Sequence, residues 1–132
     1  MKLNGAGETE KGEVALKTLS SAIIAPAAYG TMQWGGTADI GAAKAMFDAC
    51  LHAGIRHFDT AFLYTDGRSE EFLGAIAGNR DDVFVATKAA YNQPATSTNI
   101  RASFDISRKR LKRDCVDLLY LHRFDEETPL EQ

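Results

Sequence analysis

The sequence predicts an α/β fold, the N-terminal half of a (β/α)8 TIM barrel with about four parallel strands and three to four helices. Three observations carry this. Short apolar runs of strand length alternate with segments whose apolar residues recur at helical spacing, which implies parallel strands joined by crossover helices. The polar residues Asp59, Tyr64, Lys88 and His122 each fall at or just beyond the end of such a run, and barrels build their sites from the C-terminal ends of several strands around one mouth. A doubly wound nucleotide fold would instead carry a glycine fingerprint after its first strand. The turn there reads Gly30-Thr31-Met32-Gln33-Trp34-Gly35-Gly36, without G-x-G-x-x-G.

Taken in order, residues 1–22 form an N-terminal segment, Gly-rich and charged at first, in which Val14, Leu16 and Thr18 alternate as in a small hairpin. Residues 23–132 form the incomplete barrel domain. Its first strand is expected at 27–31, broken by Gly35-Gly36. Ile40, Ala43, Phe47, Cys50 and Leu51 then recur at helical spacing, with Thr37 or Asp39 as N-cap and Gly54 as stop. The next strand is 55–58, followed by a loop over 59–68 in which Asp66-Gly67 signals a turn. Ser69 reads as the cap of a short helix whose first turn holds Glu70 and Glu71, where the helix dipole favours carboxylates. Its buried stripe is Phe72, Leu73 and Ile76. A third strand at 83–86 leads through a polar loop to Asn99, the expected cap of a helix with Ile100, Phe104, Ser107 and Leu111 on one face. The nearly continuous apolar run 116–121 is of the kind buried on both faces of a parallel sheet.

Composition bounds the function. With 45% apolar and 25% charged residues the chain is an ordinary soluble globular type. A net charge of -3 creates no field that recruits nucleic acid or an anionic membrane, so the expected partner is a small molecule. Cys50 and Cys115 are the only cysteines, which fits free thiols in a reducing compartment and a cytoplasmic location. No stretch approaches the ~18 apolar residues of a membrane span. His57 and Asp59 lack the further His or Cys cluster that a metal site needs, so no metal is expected. The basic run Arg108, Lys109, Arg110, Lys112, Arg113 is explained by the dipole at a helix C-terminus.

The residues point to carbonyl reduction. Adding hydride to a carbonyl places negative charge on its oxygen, so the site needs a proton donor and dipoles aimed at that oxygen. A phenol is a weak acid at neutral pH, and a cation a few ångströms away favours its ionised form. Tyr64 and Lys88 are residues of those types. A buried ammonium needs a carboxylate beside it, and Asp59 is available. Taken singly, Lys88 and Asp59 would be surface groups or a structural ion pair, His122 a core histidine and Tyr64 a loop aromatic.

Gly30-Thr31-Met32, His57-Phe58-Asp59-Thr60-Ala61-Phe62-Leu63-Tyr64, Ala86-Thr87-Lys88 and Asp117-Leu118-Leu119-Tyr120-Leu121-His122, in this order and spacing, resemble the aldo-keto reductases from residue 27 onward. Asp59-Thr60-Ala61-Phe62 and Asp66-Gly67-Arg68-Ser69-Glu70 are most similar to the branch with aflatoxin-aldehyde and succinic-semialdehyde reductases. The resemblance implies an NADPH-dependent oxidoreductase acting on a small carbonyl substrate. It implies that Tyr64 is the general acid, Lys88 the cation that promotes it, Asp59 the partner of Lys88, and His122 the donor that orients the carbonyl. It also implies cofactor contacts from Thr31, Met32 and Asp59, and a substrate pocket lined by Met32, Trp34 and Arg123. Arg123 would attract a substrate carboxylate or pair with Asp125 or Glu126.

A barrel of this type needs about 250 residues. Thr128, Pro129 and Glu131 have the form of a capping box that opens a fourth helix, so the chain is expected to stop at that helix. Three readings stay open: a reductase whose activity needs the other barrel half, two copies that associate to close a barrel, and an inactive reductase-like binding or regulatory module, as in potassium-channel β subunits.

Overall fold

A computed structural model describes residues 15–129 and 131. Four strands form one parallel sheet in chain order: β1 (Ala28–Gly30), β2 (His57–Asp59), β3 (Phe84–Ala89) and β4 (Leu118–Leu121). Between them run α1 (Ile40–His52), α2 (Arg68–Ala77) and α3 (Ser97–Leu111). The expected alternation and parallel pairing are present, and the architecture is a half-barrel.

Strand alternation sorts the side chains onto two faces. Phe58 and Val85 point to the helices and pack with Phe47, Leu73, Ala77 and Leu111. Phe58 is fully buried and stacks on Phe47 at 4.6 Å between centroids. His57, Asp59, Ala86 and Lys88 occupy the opposite, inner face, where Ile24, Phe84 and Ala86 form a second small cluster with Leu118.

Several local expectations are corrected by capping and packing. Of the two expected caps of α1, Asp39 takes the role, accepting from Ala42 N at 2.8 Å, whereas Ile40, expected on the buried stripe, is exposed. The cap of α3 is Thr96 and not Asn99, because the Thr96 hydroxyl accepts from Asn99 N. Ser69 does not cap α2. It lies one residue inside the helix, fully buried, and Thr65 takes the capping role by accepting from Ser69 N at 3.0 Å. Phe72 and Ile76 are only partly buried, since the close contact of α2 is made by Leu73, Gly74 and Ala77. A Cβ on Gly74 would stand 2.2 Å from the Arg110 carbonyl oxygen, so α2 and α3 approach at a distance that only glycine permits. β4 is the sheet edge and not a doubly buried strand: Leu119, Tyr120 and Leu121 are 37–42% exposed.

Val14, the start of the expected hairpin, lies outside the described residues. Within them Lys17 and Ile23 form one antiparallel bridge. Asp117 anchors this segment, accepting from Leu19 N at 2.7 Å and from Val85 N at 2.8 Å. Residues 122–129 contain no helix. Thr128 donates to Asp125 Oδ2 at 2.6 Å, and the remainder of the expected capping box extends past the continuously described residues. No helix among the described residues is long and apolar enough to cross a membrane.

Candidate active site

Three of the four polar residues owe their place to the end of a strand, and Tyr64 to the turn that follows β2. Asp59 closes β2, Lys88 is the penultimate residue of β3, and His122 follows β4 directly. The ladder continues past the strands, with Thr60 N donating to Ala86 O, Phe62 N to Lys88 O and His122 N to Ala89 O. Tyr64 opens the turn Tyr64–Gly67, in which Thr65, Asp66 and Gly67 all have positive φ (50°, 56° and 90°). Two consecutive non-glycine residues in the left-handed region are uncommon and hold only where the surroundings fix them.

The four residues converge. Lys88 Nζ donates to Asp59 Oδ2 at 2.5 Å and to Thr60 O at 2.8 Å, and lies 4.7 Å from the centroid of the Tyr64 ring. The Tyr64 and His122 rings meet edge-on at 5.7 Å, and the Tyr91 ring lies 4.9 Å from that of His122. Asp59, Lys88 and His122 line a depression of about 530 Å³ together with Gly30, His57 and Tyr120. The Asp59 and Lys88 side chains are 27% and 16% exposed, which is enough access for a ligand and enough burial to strengthen the pair.

Burial lowers the His122 pKa, the Lys88 charge lowers it further, and Asp59 opposes both. His122 is therefore a neutral imidazole at neutral pH, with one nitrogen able to donate. His57, two residues before Asp59 on the same face, is also held below the usual histidine value by burial, against the charges of Asp59 and Asp117. Its Nε2 is buried with no partner among the described residues.

The remaining expected site residues separate. Met32 is exposed past the end of β1. Arg123 is exposed and lines a second depression with Tyr91, Phe124 and Asp125. It makes no ion pair with Asp125 or Glu126; Asp125 instead accepts from Thr128, Ala95 N and Glu127 N. Those hydrogen bonds hold the Asp125 carboxyl below the usual range. Trp34 does not line a pocket. It is 1% exposed and packs on Tyr29 and Phe58. Thr31 is likewise interior: its hydroxyl contacts Asp59 O and Ser69 Oγ, so it shapes the backbone of Asp59 and offers no free group to a ligand. Among the described residues no cluster of three metal-ligating side chains occurs.

Sequence reasoning missed Glu70 and Arg110. Both had a sufficient explanation in the helix dipole, yet Glu70 is completely buried, accepting from Thr87 Oγ1 at 2.6 Å and paired with Arg110 at 3.3 Å. A carboxylate one turn into a helix, with an arginine on the next helix, was the available signal.

The Aldo/keto reductase family model matches residues 27–132, and the chain belongs to that family. It is 39% identical over 123 residues to the mouse protein named aflatoxin B1 aldehyde reductase member 2, covering 88% of this chain and 34% of that one. It is 34% identical to a rice protein named probable voltage-gated potassium channel subunit beta, covering 83% and 37%. The chain spans about a third of the length of these curated relatives. Among solved structures, an aldo-keto reductase from Klebsiella pneumoniae in complex with NADPH superposes with a TM-score of 0.72 at 29% identity, covering 84% of this chain and 40% of that one. The holo form of a Bacillus halodurans aldo-keto reductase gives 0.71 at 29%, covering 89% and 42%.

Proposed function

We propose that this chain carries the acid–base half of an NADPH-dependent reductase that converts a small aldehyde or ketone to the alcohol, working in the cytoplasm as part of a complete barrel. The observation that carries this is Lys88, held between the Asp59 carboxylate and the face of Tyr64 beside His122, at the ends of three adjacent strands. The depression lined by Asp59, Lys88 and His122 fits the reacting end of a nicotinamide cofactor, which Asp59 would help to hold. When bound there, NADPH would supply the hydride for the carbonyl carbon.

This chain's residues supply the rest. His122, neutral and with a free N–H, donates to the carbonyl oxygen and fixes its direction. Tyr64 gives its phenolic proton to that oxygen as negative charge develops there. Lys88 stabilises the phenolate that remains, and Asp59 keeps Lys88 charged and in place. Arg123, next to His122 in the chain but facing a second depression, would favour substrates long enough to carry a carboxylate to it.

The test is NADPH oxidation with a panel of aldehydes, using the chain alone and the chain extended to the length of its relatives. Tyr64→Phe should lower kcat in the extended form by about 10²- to 10⁴-fold while leaving NADPH binding intact. Turnover that survives this change removes Tyr64 as the acid. A second reading, a binding module without turnover, draws on the likeness to the rice channel-subunit relative. It would be favoured by a tight protein partner together with an inactive extended form.

A further inference from the structure

On the helix side of the sheet, away from the cavity, the Arg110 guanidinium reaches from the last turn of α3 into the turn that carries Tyr64. Its Nη1 donates to Phe62 O at 3.0 Å and to Glu70 Oε2 at 3.3 Å, and the group lies 4.7 Å from the centroid of the Phe62 ring. Phe62 stands two residues before Tyr64, and its N–H donates to Lys88 O at 3.1 Å. The other oxygen of Glu70 accepts from Thr87, the neighbour of Lys88 in β3. Room for the guanidinium exists because position 67 is glycine: a Cβ there would lie 2.3 Å from Arg110 Cζ.

We infer that the Arg110–Glu70 pair is a positioning device that fixes Tyr64 and Lys88 relative to one another from behind the sheet. It rests on the reading of those two residues as proton donor and cation. A buried ion pair is by itself a weak source of stability compared with apolar packing. This pair spends its hydrogen bonds on the two segments flanking the site. The Tyr64 turn also has a backbone that persists only where its surroundings over-determine it, and Arg110 is the side chain that ties its entry at Phe62 to β3 and α2. The pair touches no reacting atom.

Hydrogen exchange on the chain decides the inference without any activity. In Arg110→Met the amides of residues 60–67 should exchange about tenfold faster, the scale of one charge-assisted hydrogen bond, while those of α1 keep their wild-type rates. Arg110→Lys should restore part of the protection. Unchanged exchange in 60–67, or an equal rise in every element, would overturn it. Glu70→Gln carries the same expectation and is read instead if Arg110→Met does not fold. In the extended form Arg110→Met should lower kcat by about 10- to 100-fold, the scale of a misplaced catalytic group, with KM for the aldehyde unchanged. An extended wild type that reduces no aldehyde defeats the proposed function, and the exchange data still decide the positioning role.

Discussion

The two faces of the sheet treat a carboxylate in opposite ways. On the helix side, Glu70 is fully buried and its oxygens are taken up by Thr87 and Arg110. On the inner side, Asp59 and Lys88 form a shorter pair yet remain partly exposed, next to two aromatic rings and an open depression. The two cations are similarly exposed, so the difference lies in the carboxylates: the sealed Glu70 holds segments in register, whereas the partly open Asp59 stays available to a ligand. Adjacent residues of one three-residue strand, Phe58 and Asp59, thus belong to different tasks.

Three changes sharpen this contrast, beginning with the largest effect. Phe58→Ala empties the centre of the helix-side core and should reduce unfolding free energy by about 3–5 kcal/mol, read by denaturant titration. A loss below ~1 kcal/mol would show that the core does not rest on this ring. The second concerns His57 on the inner face. Its folded-state pKa lies below its ordinary 6.5, so the unfolded chain takes up the proton first as pH falls. Stability is therefore full above about 6.5 and declines as pH drops from there toward the folded-state value. His122 acts in the same direction. His57→Leu should flatten this dependence between pH 7.5 and 5.5; an unaltered slope would assign it to other groups. The smallest change lies on neither face: Asp39→Ala removes the side-chain cap of α1 and should lower stability by about 1 kcal/mol, seen as a modest fall in Tm.

Strand and helix order was legible because each apolar run and each helical stripe is a local pattern, and so was the group Asp59, Tyr64, Lys88, His122, because parallel strands deliver their C-terminal ends to one rim. What was not legible depends on contacts between distant segments. Trp34 follows a strand and reads as pocket-lining, but Tyr29 and Phe58 draw it into the core. Ser69 has the composition of a cap, but Thr31 and Thr60 offer its hydroxyl partners across the fold. The run 116–121 reads as interior, yet among the described residues β4 pairs with β3 alone and stays partly exposed.

Because the strands pair in the order in which they occur along the chain, each new strand and helix finds its docking site already in place on the segment before it. Such a sheet can be assembled stepwise as it leaves the ribosome, each loop closed being short and its entropic toll small. The same order leaves β4, like β1, at an edge of the described sheet, where unpaired backbone groups can accept a further strand.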